Sequence, residues 1–277
     1  MTDTALQALG PMAESLLIPP YVRALESQRP DALLKDENAV ALVRRMDYDF
    51  ARLSQAGIGE EVRLALVLRS REFDRLTRGF LARQSEPVVV QIGCGLDARF
   101  ERVDDGRVEW YDLDLPEVVA LRRGYLGGER ERCHLLGCSA LDHAWMEAVR
   151  QHHPLLVLAE GVFMFFEADQ VRKLVLALRA RFPGAELVFD AFSPFFVWAN
   201  NRRVARSGIG ARCCWGLRGG RDLEGWGAGI RLLEEWFPFR CTGPRMERLR
   251  WVRHIPLLAR ATGVFHYRLG GQGEKGL

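Results

Sequence analysis

Hydrophobic positions change their spacing near residue 84, and that change divides the chain. From Met12 to about Arg83 apolar residues return every three or four positions, the period of helices with one buried stripe. Pro19-Pro20 and Pro30 punctuate this stretch. Inside it the spacing predicts one helix over residues 60–83 with the stripe Val62, Leu66, Phe73, Leu76 and Phe80; Arg69 falls on the same stripe. Beyond Arg83, short β-branched and apolar runs alternate with helical ones. Residues 87–93, 108–113, 134–137, 155–159, 185–192 and 264–269 read as strands, with helices near 115–125 and along Val171, Leu174, Val175, Leu178 and Phe182. Strands alternating with helices predict a doubly wound, mostly parallel, Rossmann-like α/β sheet. The expected organisation is an N-terminal helical extension over residues 1–83, its first ten residues disordered, then a core over 84–277. The alternation lapses between about 193 and 239, where an inserted cap is expected.

Composition narrows the class. With 277 residues, 48% hydrophobic and 27% charged, the chain can bury one large α/β core. Its net charge is +3, and only Lys35, Lys173 and Lys275 are lysine among 39 basic residues. The arginines are interleaved with acids and form no block, which argues against a nucleic-acid partner. None of the six cysteines forms a C-x-x-C pair, so no metal site is expected and a reducing, cytoplasmic setting is. The longest apolar run, 154–166, is broken by Glu160 and is too short to span a bilayer. The expected partner is a small molecule; nothing bears on the oligomeric state.

Five segments could carry chemistry. The first predicted strand ends in Gln91-Ile92-Gly93-Cys94-Gly95, running on to Ala98 and Arg99. A strand stopping in Gly-x-Gly before a helix brings bare backbone against a ligand, but this pattern alone serves a methyltransferase or a dehydrogenase equally. The next strand ends at Asp114, whose carboxylate suits a ribose diol; with Glu117 three residues on, it also reads as a helix N-cap with a capping partner. Arg69, on a buried stripe, needs an anion, either a ligand carboxylate or an internal acid. Glu160 follows the strand 155–159 at the sheet's carboxyl end, where a carboxylate would favour a sulfonium or an ammonium. The Ser139-Ala140 loop, with Asp142 behind it, could flank an adenine ring.

Together these segments resemble the leucine carboxyl methyltransferase family, particularly its bacterial branch linked to polyketide O-methylation. The likeness is carried by residues 14–21, 23–26, 68–71, 91–99 and 110–121, and by Ala159 to Phe166. It implies a class I methyltransferase fold with a seven-stranded sheet, and S-adenosyl-L-methionine as cofactor. It also implies a cofactor pocket built from Arg69, Gly93, Gly95, Asp114, Ser139, Ala140 and Glu160, with Arg69 on the cofactor's carboxylate, Asp114 on its ribose and Glu160 beside its methionine portion. The sequence departs from the family at Cys94, where alanine is usual. At Ser139 the phosphatase-methylating branch carries aspartate, and at Gly161 it carries cysteine, which argues against a phosphatase tail as substrate.

The expected reaction is O-methylation of a small acidic molecule, a carboxylate or a phenol. A carboxylate is ionised at neutral pH and needs no strong base, only positioning and exclusion of water. A phenol would need one. His143, His152, His153 and His254 are open to that role without a motif to single one out, so no catalytic residue is assigned. Arg202, Arg203, Trp198 and Trp215 in the cap are candidates for binding an aromatic acid. The alternatives are a nicotinamide-dependent oxidoreductase, a cofactor-binding module without activity, and a metal-dependent variant using Asp190.

Overall fold

The computed structural model describes residues 12–55, 59–207 and 211–270; the first ten residues lie outside the described residues. The strands are β1 (Val88–Ile92), β2 (Glu109–Asp114), β3 (Cys133–Gly137), β4 (Leu155–Ala159), β5 (Glu186–Phe192), β6 (Ile230–Trp236) and β7 (Thr262–Leu269). They form one seven-stranded sheet in the order β3-β2-β1-β4-β5-β7-β6. β1 to β5 pair in parallel, whereas β7 runs antiparallel to both β5 and β6. The helices are α1 (Met12–Ser27), α2 (Glu37–Arg45), α3 (Ala51–Gln55), α4 (Glu60–Leu81), α5 (Arg99–Val103), α6 (Pro116–Leu126), α7 (Ala168–Arg181), α8 (Pro194–Ser207) and α9 (Pro256–Ala259). The doubly wound, mostly parallel sheet expected from the alternation is the one observed.

β1 and β4 are buried along their whole length, which is why both read as unbroken apolar runs. Their side chains alternate between two layers. Val88, Val90 and Ile92 pack with Leu174, Val175 and Leu178 of α7. Val89 packs on the other face with Phe73 and Phe80 of α4 and with Trp110. The helix predicted over 60–83 is α4, but its stripe begins later than expected: Val62 is 44% exposed. Only from Leu64 onward does α4 lie against the rest of the molecule, burying Arg69, Ser70, Glu72 and Asp74 as well as apolar residues.

Part of the expected cap is sheet. β6 is its outer strand, and a register shift between Leu232 and Glu234 interrupts the two-residue alternation by which a strand is recognised. Its solvent-facing side and the run Glu234-Glu235 further mask the pattern. The remainder of 193–239 holds α8 and a strap over residues 211–217, tied down by the Cys214 and Trp215 amides to the Met164 carbonyl and by the Leu217 amide to the Phe192 carbonyl.

After β3 the chain crosses back over β1 to start β4 on its other side. The strand order therefore reverses at β1 and β4, and a crevice opens beyond their carboxyl ends, where such sheets hold ligands. α1 packs against α2 and α4 and closes this crevice from above.

Candidate functional site

The loops at the carboxyl ends of β1 to β4, together with α1 and α4, enclose a cavity of about 470 Å³. Gly93, Cys94 and Gly95 line it after β1, Asp114 after β2, Ser139 and Ala140 after β3, and Glu160, Gly161 and Val162 after β4. Arg69 reaches it from α4, and Ser15, Leu16, Pro19, Pro20 and Arg23 from α1. All seven residues expected in the cofactor pocket thus border one space.

The glycine turn requires its glycines. Gly93 and Gly95 have φ of 64° and 52°, a region costly for other residues. A Cβ on Gly93 would also stand 2.3 Å from Val162 Cγ2. The Gly93 and Cys94 amides both donate to the Leu113 carbonyl, at 2.7 and 3.1 Å, which fastens the turn to β2.

Asp114 completes that fastening. Its Oδ2 accepts from the Gly95 amide and its Oδ1 from the Leu115 amide, both at 2.8 Å. This corrects the helix-cap reading: α6 begins at Pro116 behind Leu115, which makes no side-chain cap, and no capping box with Glu117 forms. Burial pushes the Asp114 carboxyl up despite these two amides. Each of its oxygens keeps a lone pair for a ligand.

Arg69 finds its anions inside the protein. Nε donates to Glu160 Oε1 at 3.0 Å and Nη1 to Asp190 Oδ2 at 2.8 Å. Among the described residues Nη2 has no such partner, and the guanidinium lies against Gly161, where a Cβ would be 3.6 Å from it. Glu160 also accepts from Ser70 Oγ at 2.8 Å and from Arg99 Nη2. Burial pushes the Glu160 carboxyl up, but Arg99 and then Arg69 overcome it and hold it at about 2. Asp190 takes the Gly161 amide on its other oxygen, so each of its oxygens accepts a hydrogen bond.

These contacts belong to a larger buried network. Arg23 pairs with Asp36 and Asp97, Arg102 with Asp36, Asp74 and Asp97, and Arg99 with Asp74, Asp97 and Glu160. Four guanidiniums, of Arg23, Arg69, Arg99 and Arg102, face five carboxyl groups, of Asp36, Asp74, Asp97, Glu160 and Asp190, and of these Arg23, Arg69, Asp97 and Glu160 line the cavity. Arg23, Asp97 and Arg99 were not singled out as site residues from the sequence. Their signal was present, since Arg99 closes the glycine-turn segment and Arg23 lies in the amino-terminal stretch that carries the family resemblance.

Ser139 and Ala140 line the cavity, whereas Asp142 is turned to the surface and caps a short 3-10 turn by accepting from the Ala144 amide. Of the four cap residues proposed for the acceptor, none lines this cavity. Trp215 is core, 8% exposed and packed with Phe189 and Trp226. Trp198 is exposed, and Arg202 lies over its ring. Arg203 is half-buried, donates to Asn200 Oδ1 at 3.1 Å, and has a buried Nη1 without a partner. Burial lowers its pKa, and no carboxylate opposes this. Ala211 and Arg212, not anticipated, line the opening of the cavity, and His143, His152, His153 and His254 do not border it.

A family model for leucine carboxyl methyltransferase matches residues 17–179, more than half of the chain. The chain belongs to the leucine carboxyl methyltransferase family. It is 34% identical over 265 residues to the tetracenomycin polyketide synthesis O-methyltransferase TcmP of Streptomyces glaucescens, covering 92% of this chain and 95% of that one. It is 29% identical to the S-adenosyl-L-methionine-dependent methyltransferase dpfgK of Gibberella zeae, covering 81% of each. A solved structure of a DUF574 family protein from Streptomyces avermitilis superposes with a TM-score of 0.59 at 16% identity, over 92% of this chain and 96% of that one; it bears on the fold alone. The sheet is that of a class I methyltransferase. The nicotinamide reading of the glycine turn is thereby displaced. Among the described residues no helix is long and apolar enough to cross a membrane.

Proposed function

We propose that the protein methylates a carboxylate oxygen of a small acidic molecule of aromatic or polyketide-like character. Family membership makes it an S-adenosyl-L-methionine-dependent methyltransferase. The cavity suits that cofactor: its glycine turn has no room for side chains, and Glu160, held ionised by Arg99 and Arg69, stands in its wall, which favours a positively charged group beside it. The cofactor, when bound, supplies an electrophilic methyl group on a sulfonium. In this reading Arg69 Nη2 is the free donor for its carboxylate and Asp114 accepts from its ribose. The Ser139-Ala140 loop borders its adenine, and Glu160, held ionised by Arg69 and Arg99, keeps the methionine end negative.

The observation that carries the choice of acceptor is the lack of a usable base. Among the described residues the cavity wall has no histidine, lysine or tyrosine. Its carboxylates Asp97 and Glu160 are locked to arginines, and Asp114 to two amides. Cys94 and Cys138 also border it, and burial pushes both thiols up, so they stay protonated. An oxygen that arrives ionised needs none of these, and a carboxylate oxygen arrives ionised. The printed activity of the relative TcmP, O-methylation in polyketide synthesis, supports a polyketide-like acid. Arg203, lacking a carboxylate of its own, and Arg212 at the opening are the side chains we assign to the acceptor's charge, with Trp198 and Arg202 outside them and Trp215 anchoring the strap in the core. The test uses methyl-labelled cofactor and a panel of aromatic and polyketide acids. A methyl ester releases its label as methanol in alkali, whereas a phenyl ether does not; alkali-stable product, or no transfer to any acid, removes the proposal.

A further inference from the structure

The buried network of arginines and carboxylates has a second outlet. Arg23, Arg69, Asp97 and Glu160 line the cavity already described, whereas Asp36, Asp74 and Arg102 line another, also of about 470 Å³. It lies among the loop that joins α1 to α2 and the helices α4 and α5. Its floor is satisfied from within: Arg102 donates to Asp36 at 2.8 Å and to Asp74 at 2.9 Å, and these two acids also hold Arg23 and Arg99. The rim is different. Lys35, Arg71 and Arg78 line the cavity as exposed side chains, and among the described residues none of the three has a carboxylate partner. Arg78 donates Nη2 to the Arg102 carbonyl at 2.7 Å, which leaves its charge uncompensated. Arg75, between the two arginines on α4, shows the ordinary alternative, since it pairs with Glu72 at 2.6 Å and also with Glu234. The remaining acids of the cavity do not cancel the rim. Glu101 is committed to Arg130 at 2.7 Å, and Glu37 is a single carboxylate facing three cations.

Like charges around a concavity repel one another and build a field within it that a bound anion relieves. Arg71, Asp74 and Arg78 follow at spacings of three and four on one face of α4, so the two guanidiniums flank Asp74 and stand two turns apart, roughly 10 Å along the axis. Among the described residues no aromatic ring lines this cavity, which sets it apart from a pocket for a flat aromatic acid. Phosphoryl groups concentrate charge and acceptor oxygens in a small volume and match the guanidinium fork. We propose that this cavity is a second ligand site, for a small anion bearing two or more phosphoryl groups, held by Arg71 and Arg78 from α4 and by Lys35 from the α1–α2 loop. The site lies outside the cofactor cavity and stands independently of the methylation reading.

Pyrophosphate is the probe, titrated calorimetrically into the full chain at constant ionic strength, with and without saturating S-adenosylhomocysteine. One molecule should bind per chain, more tightly than inorganic phosphate, and S-adenosylhomocysteine should not displace it. Arg71→Ala/Arg78→Ala should raise the Kd for pyrophosphate at least tenfold, the worth of one hydrogen bond to a charged group, with Tm and S-adenosylhomocysteine affinity unchanged. Arg75→Ala, which removes an equal charge from the same helix but outside the cavity, should bind pyrophosphate as the parent does. The absence of saturable binding up to about 10 mM, displacement by S-adenosylhomocysteine, or an equal loss in Arg75→Ala overturns the proposal; the last would show general attraction of anions to a basic surface.

Discussion

Arg69 of α4 and Glu160 at the end of β4 meet at 3.0 Å across a sequence separation of 91 residues, and that ion pair joins the N-terminal helices to the sheet at the edge of the cavity. One guanidinium thus serves two ends: it pairs with Glu160 and Asp190, and it offers its remaining nitrogen to the cavity. Arg69→Ala leaves two buried carboxylates with reduced compensation. The expected loss is about 3–5 kcal/mol of stability, read from urea unfolding, together with weaker cofactor binding. A variant as stable as the parent would show that the pair is not a structural link.

Gly93→Ala tests the turn. A side chain there meets both a positive φ and the Val162 methyl, so S-adenosylhomocysteine affinity should fall at least tenfold by calorimetry. Gly93→Ala/Val162→Ala relieves the clash but not the backbone cost of about 1–2 kcal/mol, so it should recover only part of the loss. Full recovery would mean that φ at this position does not matter.

Acid stability should depend on several depressed carboxylates, among them Asp97, Glu160 and Glu186. Glu160 is held at about 2, and so is Glu186, where His266, Arg268 and Arg83 outweigh the opposing push of burial. Both folded values lie below the ordinary value of 4.5, so the stability they contribute is complete above about pH 4.5 and drains away as pH falls towards 2. Urea midpoints measured from pH 7 to pH 2.5 should decline over that window. Glu160→Gln should flatten the decline while lowering the plateau.

A carboxylate acceptor gives a kcat/KM that is level from about pH 6 to 9, because the acceptor is already ionised across that range. A rise over that range with a slope near one would instead report ionisation of a phenol, and would displace the ester-forming reading.

Arg203→Ala separates acceptor from cofactor. If Arg203 receives the acceptor's negative charge, its KM should rise roughly tenfold or more, with S-adenosylhomocysteine affinity unchanged. Trp198→Ala, altering an exposed ring, should change KM far less. Equal effects of the two would leave Arg203 no special part in recognition.

Much of the site was legible because it is local. Gly93 and Gly95 stand at the end of an apolar strand, Asp114 ends the next and Glu160 follows a third, and strand ends are marked by the change of residue type itself. The same locality misled at the cap. There Trp198 and Trp215 look alike in sequence, yet one is exposed and the other sits among Phe189 and Trp226. The bulged edge strand β6 was hidden because a register shift destroys the period by which strands are read.

The sequence by itself determined the alternation of strand and helix, the position of the glycine turn and the need of Arg69 for an anion, since each follows from neighbouring residues and their spacing. Only the tertiary structure decided which anions Arg69 would find, that Asp114 would clamp the turn instead of capping a helix, and that the prolines of α1 would face the cavity. Those are contacts between segments far apart in the chain. Their energies depend on distance and burial in space, which no local spacing encodes.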